Sequence, residues 1–307
     1  MTRKTIQHLI AIFTFLLVNL GTDAQKKKAS KERSLFSWNN PPTKSIPLPA
    51  NVKHATFKSR SMRIKVGYYI YLPPEYNSLK NKSRKYPIVY HLHGGRPGNE
   101  KKSISLANFV HQAVKKGQIQ PTIYVFPNGG PMSWYNYPQK ENALAEDIFI
   151  QELLPHIDTT YRTYGTRAKR GIEGFSQGGR GVSRIMFKHA KLFCSVAPGG
   201  SGYEPEERIR DNDGKESEKV HFAKGYDAWS LAQKYAKQKN AHSLEPMIWV
   251  GIKGFNYNYN LKYMKFLDEL GIPYRKLIVP DAPHSARIIY EKLGLELMQY
   301  HSQNFKI

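Results

Sequence analysis

Ser176 stands between Gly174 and Gly178 in the run R-G-I-E-G-F-S-Q-G-G (170–179), directly after a short apolar segment. A serine with glycine two residues to either side marks a sharp strand-to-helix turn, because only glycine lets the neighbouring backbones pass without a clash. Such a turn exposes the hydroxyl at the top of a sheet, and the amides opening the next helix point to where negative charge develops in acyl transfer. The spacing marks Ser176 as a candidate nucleophile. Glycines around a serine also build ordinary tight turns, so the reading depends on its partners. His284, in P-D-A-P-H-S (280–285), follows the last apolar strand segment and comes after the serine in chain order, the place of a general base. In K-Y-P-I-V-Y-H-L-H-G-G (85–95), Gly94 and Gly95 follow another strand segment. A loop there supplies one amide of an oxyanion hole, Gly95, and the residue after the nucleophile, Gln177, supplies the other. His91 and His93 read as strand or supporting residues, because no carboxylate or cysteine lies beside them at ligand spacing. No metal or organic cofactor is implied.

The elements that must position these residues follow from hydrophobic patterning. Ile88–His93, Thr122–Phe126, Cys194–Ala197, Met247–Val250 and Tyr274–Val279 read as strands. Ala143–Tyr161 reads as an amphipathic helix, and helices are expected from roughly Gly179 to Ala190 and from about Ala286 to the C-terminus. Alternating strands and helices predict an α/β fold with a mostly parallel central sheet flanked by helices. At 307 residues, with no internal repeat, the chain is long enough for one large α/β domain.

From about Val52 to Phe305 the sequence resembles the esterase D-type family of α/β hydrolases. That family groups feruloyl and acetyl-xylan esterases of carbohydrate esterase family one with mycolyltransferases and S-formylglutathione hydrolases. The resemblance is carried by A-T-F-K-S-R-S-M-R-I-K-V-G-Y-Y-I-Y-L-P-P-E-Y (55–76), Y-P-I-V-Y-H-L-H-G-G (86–95), I-Q-E-L-L-P-H-I-D-T-T-Y-R-T (150–163), G-I-E-G-F-S-Q-G-G (171–179) and G-I-P-Y-R-K-L-I-V-P-D-A-P-H-S (271–285). It implies an α/β-hydrolase fold, Ser176 as nucleophile, His284 as base, and Gly95 and Gln177 as oxyanion donors. The chain departs from the family where the acidic triad member is expected: after Met247–Val250 it reads G-I-K-G-F-N-Y, with Gly254 in place of an aspartate. Loss of that acid without a substitute lowers the rate by about four orders of magnitude. Glu204 and Asp281 are the substitutes the sequence offers, and the third role stays unassigned.

Arg3 and Lys4 precede an apolar run from Leu9 to Leu20, and T-D-A at 22–24 meets the small-residue requirement of a signal peptidase. The run is too short to span a bilayer comfortably. The expected organisation is a signal peptide over 1–24, a flexible basic arm over 25–51 and an esterase domain over 52–307, with the mature protein secreted or periplasmic. The single cysteine, Cys194, lies in an apolar segment and reads as core packing. The chain carries 47 basic and 24 acidic residues, a net charge of +23. Removing Arg3, Lys4 and Asp23 with the leader gives +22. That excess either attracts a polyanionic partner or reflects solubility alone, and no nucleic-acid-binding module accompanies it. Trp134, Tyr135, Phe255, Tyr257 and Tyr259 follow strand ends and either stack on sugar rings or pack the interior. Glu204–His221 is rich in charge and reads as a surface excursion.

The expected function is a secreted serine esterase that removes an acyl group, acetyl or feruloyl in type, from an acylated poly- or oligosaccharide. Two alternatives stay open: a non-catalytic glycan-binding protein on a decayed hydrolase scaffold, motivated by Gly254, and an acyltransferase.

Overall fold

A computed structural model describes residues 36–43, 48, 51–137, 142–203, 225–238 and 242–305, and the account below begins at Trp38. The leader over 1–24, residues 25–35, 44–47 and 49–50 of the 25–51 arm, Glu204 and the 204–221 excursion lie outside the described residues.

Four segments form strands buried at every position: β3 (Ile88–Leu92), β4 (Ile123–Pro127), β5 (Arg170–Phe175) and β6 (Ser195–Gly199). Such continuous burial is what parallel strands covered on both faces require. With β1 (Val52–Lys58), β2 (Lys65–Tyr71), β7 (Met247–Lys253) and β8 (Arg275–Pro283) they make an eight-stranded sheet of order β1-β2-β4-β3-β5-β6-β7-β8. β2 is antiparallel to β1 and β4, and β3 to β8 run parallel. The order reverses at β3, which has β4 on one side and β5 on the other. In open sheets of this kind the carboxyl ends of the strands at the reversal bound the ligand crevice. Gly94 and Ser176 follow those two ends.

The described helices are α1 (Ala107–Lys115), α2 (Ala145–Asp147), α3 (Leu154–Thr160), α4 (Gln177–Lys188), α5 (Ala228–Ala236), α6 (Tyr257–Glu269) and α7 (Ala286–Asn304). The amphipathic stretch expected over 143–161 is helical but not one α-helix: a π-helical turn, Ile148–Leu153, joins α2 to α3. Successive residues of a strand face opposite sides of the sheet. Glu173 reaches Tyr290 and His301 of α7, whereas a side chain on Gly174 would meet Gly178 of α4. α4 and α7 therefore cover opposite faces.

Three expectations shift on the structure. β8 runs to Pro283 rather than Val279, because its pairing with β7 slips: Gly251 opposes Val279, but Lys253 opposes Pro283. The two extra residues on β8 form a bulge, and Asp281 within it has φ 53°. Cys194 lies just before β6, partly buried and free rather than within the strand, and burial pushes its thiol pKa up. Trp134 and Tyr135 are fully buried, so they belong to the interior and are not a surface for sugar rings.

Candidate active site

The turn after β5 is the one its glycines predict. Ser176 sits at φ 58° and ψ −115°, a region that a residue with a side chain occupies only under constraint. The constraint is visible: its amide donates to the Gly199 carbonyl at 2.8 Å, and its own carbonyl accepts from Arg180 at 2.9 Å. The glycines are needed for space. A Cβ on Gly174 would lie 2.6 Å from the backbone carbon of Gly178, and one on Gly178 would overlap the Leu92 carbonyl. α4 can start at Gln177, hard against β3 and β5, only because those side chains are absent.

His284 follows β8 and is brought to Ser176 across the ends of β6 and β7. Its Nε2 lies 2.9 Å from Ser176 Oγ, and its Nδ1 lies 3.2 Å from Asn256 Oδ1. Phe175 and Phe255 lie against the imidazole, with ring centroids 4.6 Å and 4.2 Å away. Burial pushes the His284 pKa down to about 4. Of the two acids the sequence offers, Asp281 does not face Nδ1. Glu204 is outside the described residues, and the exposed Asp281 carboxylate pairs with Lys253 Nζ at 3.0 Å. The bulge explains this: it turns the Asp281 side chain outward, and its partner Lys253 holds the carboxyl below its usual pKa.

Asn256 is the residue the sequence reading passed over. It opens α6, where an asparagine ordinarily caps the helix with its own side chain, yet it makes no such cap bond. Its amide is spent elsewhere, on His284 and on the Gly200 carbonyl. The signal available in the sequence was an asparagine two residues past Gly254, at the mouth of a helix.

The loop after β3 passes directly under the nucleophile: a Cβ on Gly94 would lie 3.0 Å from Ser176 Cβ. Gly95 has φ 72°, and its carbonyl accepts a 2.6 Å hydrogen bond from Ser133 Oγ. His93 anchors the loop. Its Nε2 accepts from the Asn99 and Gly129 amides at 3.2 and 3.0 Å, so Nδ1 carries the hydrogen donated to the Gly94 carbonyl at 3.0 Å. Burial pushes its pKa down to about 3. Trp134 Nε1 donates to the His93 carbonyl at 3.0 Å. The Gln177 side chain accepts from Arg96 at 3.3 Å, which ties this loop to the start of α4. His93 is thus a supporting residue, as its sequence context indicated.

His91 has a partner that its local sequence could not show. Across the sheet it faces Glu173, and Nδ1 lies 2.7 Å from the carboxylate. The same carboxylate accepts from Tyr290 and meets His301 Nε2 at 3.2 Å. Burial alone would raise the Glu173 pKa, but the hydrogen bonds from His301 and His91 outweigh it and bring it to about 2. This network lies on the α7 face, away from the α4 face, and braces the strand that carries Ser176.

The sequence matches the Esterase family over residues 59–252. The chain belongs to that family. The matched region includes Gly95, Ser176 and Gln177 and ends before Asn256 and His284. The chain is 28% identical over 144 residues to an esterase of Mycobacterium tuberculosis, covering 46% of this chain and 30% of that one. A bifunctional endo-1,4-beta-xylanase/feruloyl esterase of Xylanibacter ruminicola is 28% identical over 172 residues, 52% of this chain and 23% of that one. The chain thus spans less than a third of the length of these relatives. Among solved structures, a ferulic acid esterase superposes with a TM-score of 0.68 at 22% identity, over 83% of this chain and 98% of that one. A fluorophosphonate-binding serine hydrolase of Staphylococcus aureus gives 0.67 at 16% identity, over 83% and 98%. The fold is that of the α/β hydrolases.

Proposed function

We propose that this chain is a secreted serine esterase that removes an acyl group, of acetyl or feruloyl type, from a poly- or oligosaccharide. The observation that carries the reading is the 2.9 Å approach of His284 Nε2 to Ser176 Oγ at a strained strand-to-helix turn. Ser176 Oγ attacks the ester carbonyl as His284 takes its proton. The Gly95 and Gln177 amides hold the oxyanion, and the proton passes from His284 to the departing sugar oxygen. Water then cleaves the acyl-enzyme by the same route. Support for the substrate class comes from the feruloyl esterase named among the relatives and from Phe255, which is 77% exposed beside His284 and offers an apolar ring to an acyl group or a sugar. The net charge, +23 for the full chain and +22 without the leader, favours a glycan bearing carboxylates or sulfates.

The test is release of acetate or ferulate from acylated xylo-oligosaccharides by the purified protein, with Ser176→Ala as control. Loss of release in Ser176→Ala supports the esterase. Glycan binding with no release by the wild type would support the non-catalytic alternative instead. Export is checked separately by N-terminal sequencing of protein from its native host. A start near Gln25 is expected, and soluble cytosolic protein starting at Met1 would refute secretion.

A further inference from the structure

We infer that Asn256 is the third member of the catalytic set, a neutral positioning residue that fixes the His284 tautomer without supplying charge, so that Ser176 stays activated in mildly acidic solution. This rests on the serine-esterase reading above and deepens it.

The argument begins with the amide. Asn256 is 2% exposed, and its Nδ2 donates to the Gly200 carbonyl. Only the amide nitrogen can face a carbonyl oxygen, so the side chain has one orientation, and Oδ1 is turned to His284 Nδ1. Oδ1 can only accept, so Nδ1 must carry the hydrogen and Nε2 must be the lone-pair nitrogen facing Ser176 Oγ. That is the tautomer a general base needs. The backbone around Asn256 is held as well. Its carbonyl accepts from Asn260 Nδ2 at 2.8 Å, and the same nitrogen donates to Ser201 at 2.8 Å. Replacing the acid of a serine triad by asparagine is ruinous when the amide presents the wrong tautomer. Here the Gly200 carbonyl excludes that outcome, and an asparagine in this role is known beside cysteine nucleophiles.

Positioning is kept and charge is lost. A carboxylate stabilises the imidazolium and raises its pKa; an uncharged amide oxygen does both far more weakly. The charged groups on the surrounding elements do not take its place. Lys253 and Asp281 pair with each other at the exposed ends of β7 and β8. Arg287 pairs with Glu291 on α7, Arg96 and Lys102 lie on the loop after β3, and Arg180 lies on α4. The ring is set between Phe175 and Phe255, and burial is what moves its pKa, downward. The base therefore stays neutral well below the usual histidine range, while each turnover passes through an imidazolium with no anion beside it among the described residues. The consequence is a slow enzyme with a broad acid range.

The experiment is the rate of fluorophosphonate labelling from pH 5.5 to 8.5 for wild type, Asn256→Asp and Asn256→Ala. The adduct is mapped to Ser176 by mass, and the fold is checked by circular dichroism at each pH. The inference expects wild-type reactivity to vary less than 3-fold across this range. Asn256→Asp should show an acid limb inside it, moved up by at least one pH unit, and Asn256→Ala should label at least 10-fold more slowly at every pH. A wild type that labels but declines with an apparent pKa of 6.5 to 7, or an Asn256→Asp profile that superimposes on it, would overturn the neutral triad while leaving the esterase standing. Should Asn256→Ala fail to fold, the other two profiles decide. A folded wild type that never labels overturns both readings.

Discussion

The space beside Asn256 decides what Gly254 can become. Restoring an acid at 254 looks like a repair in the sequence, but a Cβ there would lie 3.1 Å from the Gly251 carbonyl oxygen and 3.3 Å from Asn256 Oδ1. A carboxylate on that carbon would crowd the amide that already serves His284. Gly254→Asp alone is therefore expected to lower kcat on a nitrophenyl ester by about 10-fold, in keeping with the penalty for overfilling a packed site. Combining it with Asn256→Gly should recover part of the loss. Phe255 makes a different prediction, since its exposed ring lies against the base. Phe255→Ala should raise KM for an aromatic acyl ester about 5-fold and change kcat less than 3-fold, which initial-rate kinetics on feruloyl and acetyl esters would separate; equal effects on both esters would rule out an acyl-binding role. At this scale the sequence was uneven. Ser176 and His284 were legible because glycine spacing and chain order are local signals. Asn256 was not, because a search for a triad acid reads titratable side chains, and an asparagine opening a helix reads as a cap.

The strand-to-helix turn is a contact between elements before it is a catalytic device. α4 packs so closely on β3 that Gly178 has the Leu92 carbonyl where a Cβ would stand. Gly178→Ala must push the helix off the strand, and we expect a destabilisation of about 3 kcal/mol, visible as a fall in the urea midpoint and accompanied by loss of Ser176 labelling. An alanine variant as stable and reactive as wild type would show that the helix has room to shift. The parallel strands and the helices after Ser176 and His284 were legible, since buried strands and amphipathic helices leave clear periods, but β1, β2, α1, α5 and α6 were not named from the sequence. Two finer details were also missed. The β8 bulge comes from a two-residue slip against β7, a property of pairing rather than of either strand alone. The π turn at Ile148–Leu153 is too short for apolar spacing to separate it from an α-helix. The bulge matters for function, because it turns Asp281 toward Lys253 and leaves the Nδ1 side of His284 to Asn256.

Across the whole molecule, the buried histidines set how the fold responds to acid. Burial holds the folded His93 pKa at about 3 against an ordinary 6.5, while His284 is held at about 4. Unfolded, both take up a proton near pH 6.5; folded, they do so only at those lower values. The unfolded state therefore binds more protons throughout the interval, and stability falls as pH drops from 6.5 toward 3. For the fully buried His93 the slope is about 1.4 kcal/mol per pH unit, large beside a total stability of roughly 5–15 kcal/mol. Glu173 adds its part later, since its folded pKa of about 2 gives stability that is complete above pH 4.5 and lost only below it. The ordering puts the loop under Ser176 at risk first, before the network behind the sheet. Replacing the titrating group should expose this: in His93→Gln the amide oxygen can accept from the Asn99 and Gly129 amides, and no proton is gained in acid. The variant should lose about 1–2 kcal/mol at pH 8 from imperfect fit, and its melting temperature should fall much less than that of wild type between pH 6.5 and 4.5. Parallel melting curves for the two proteins across that interval would show that His93 does not govern the acid response, and would shift the cause to His284 or to groups elsewhere in the chain.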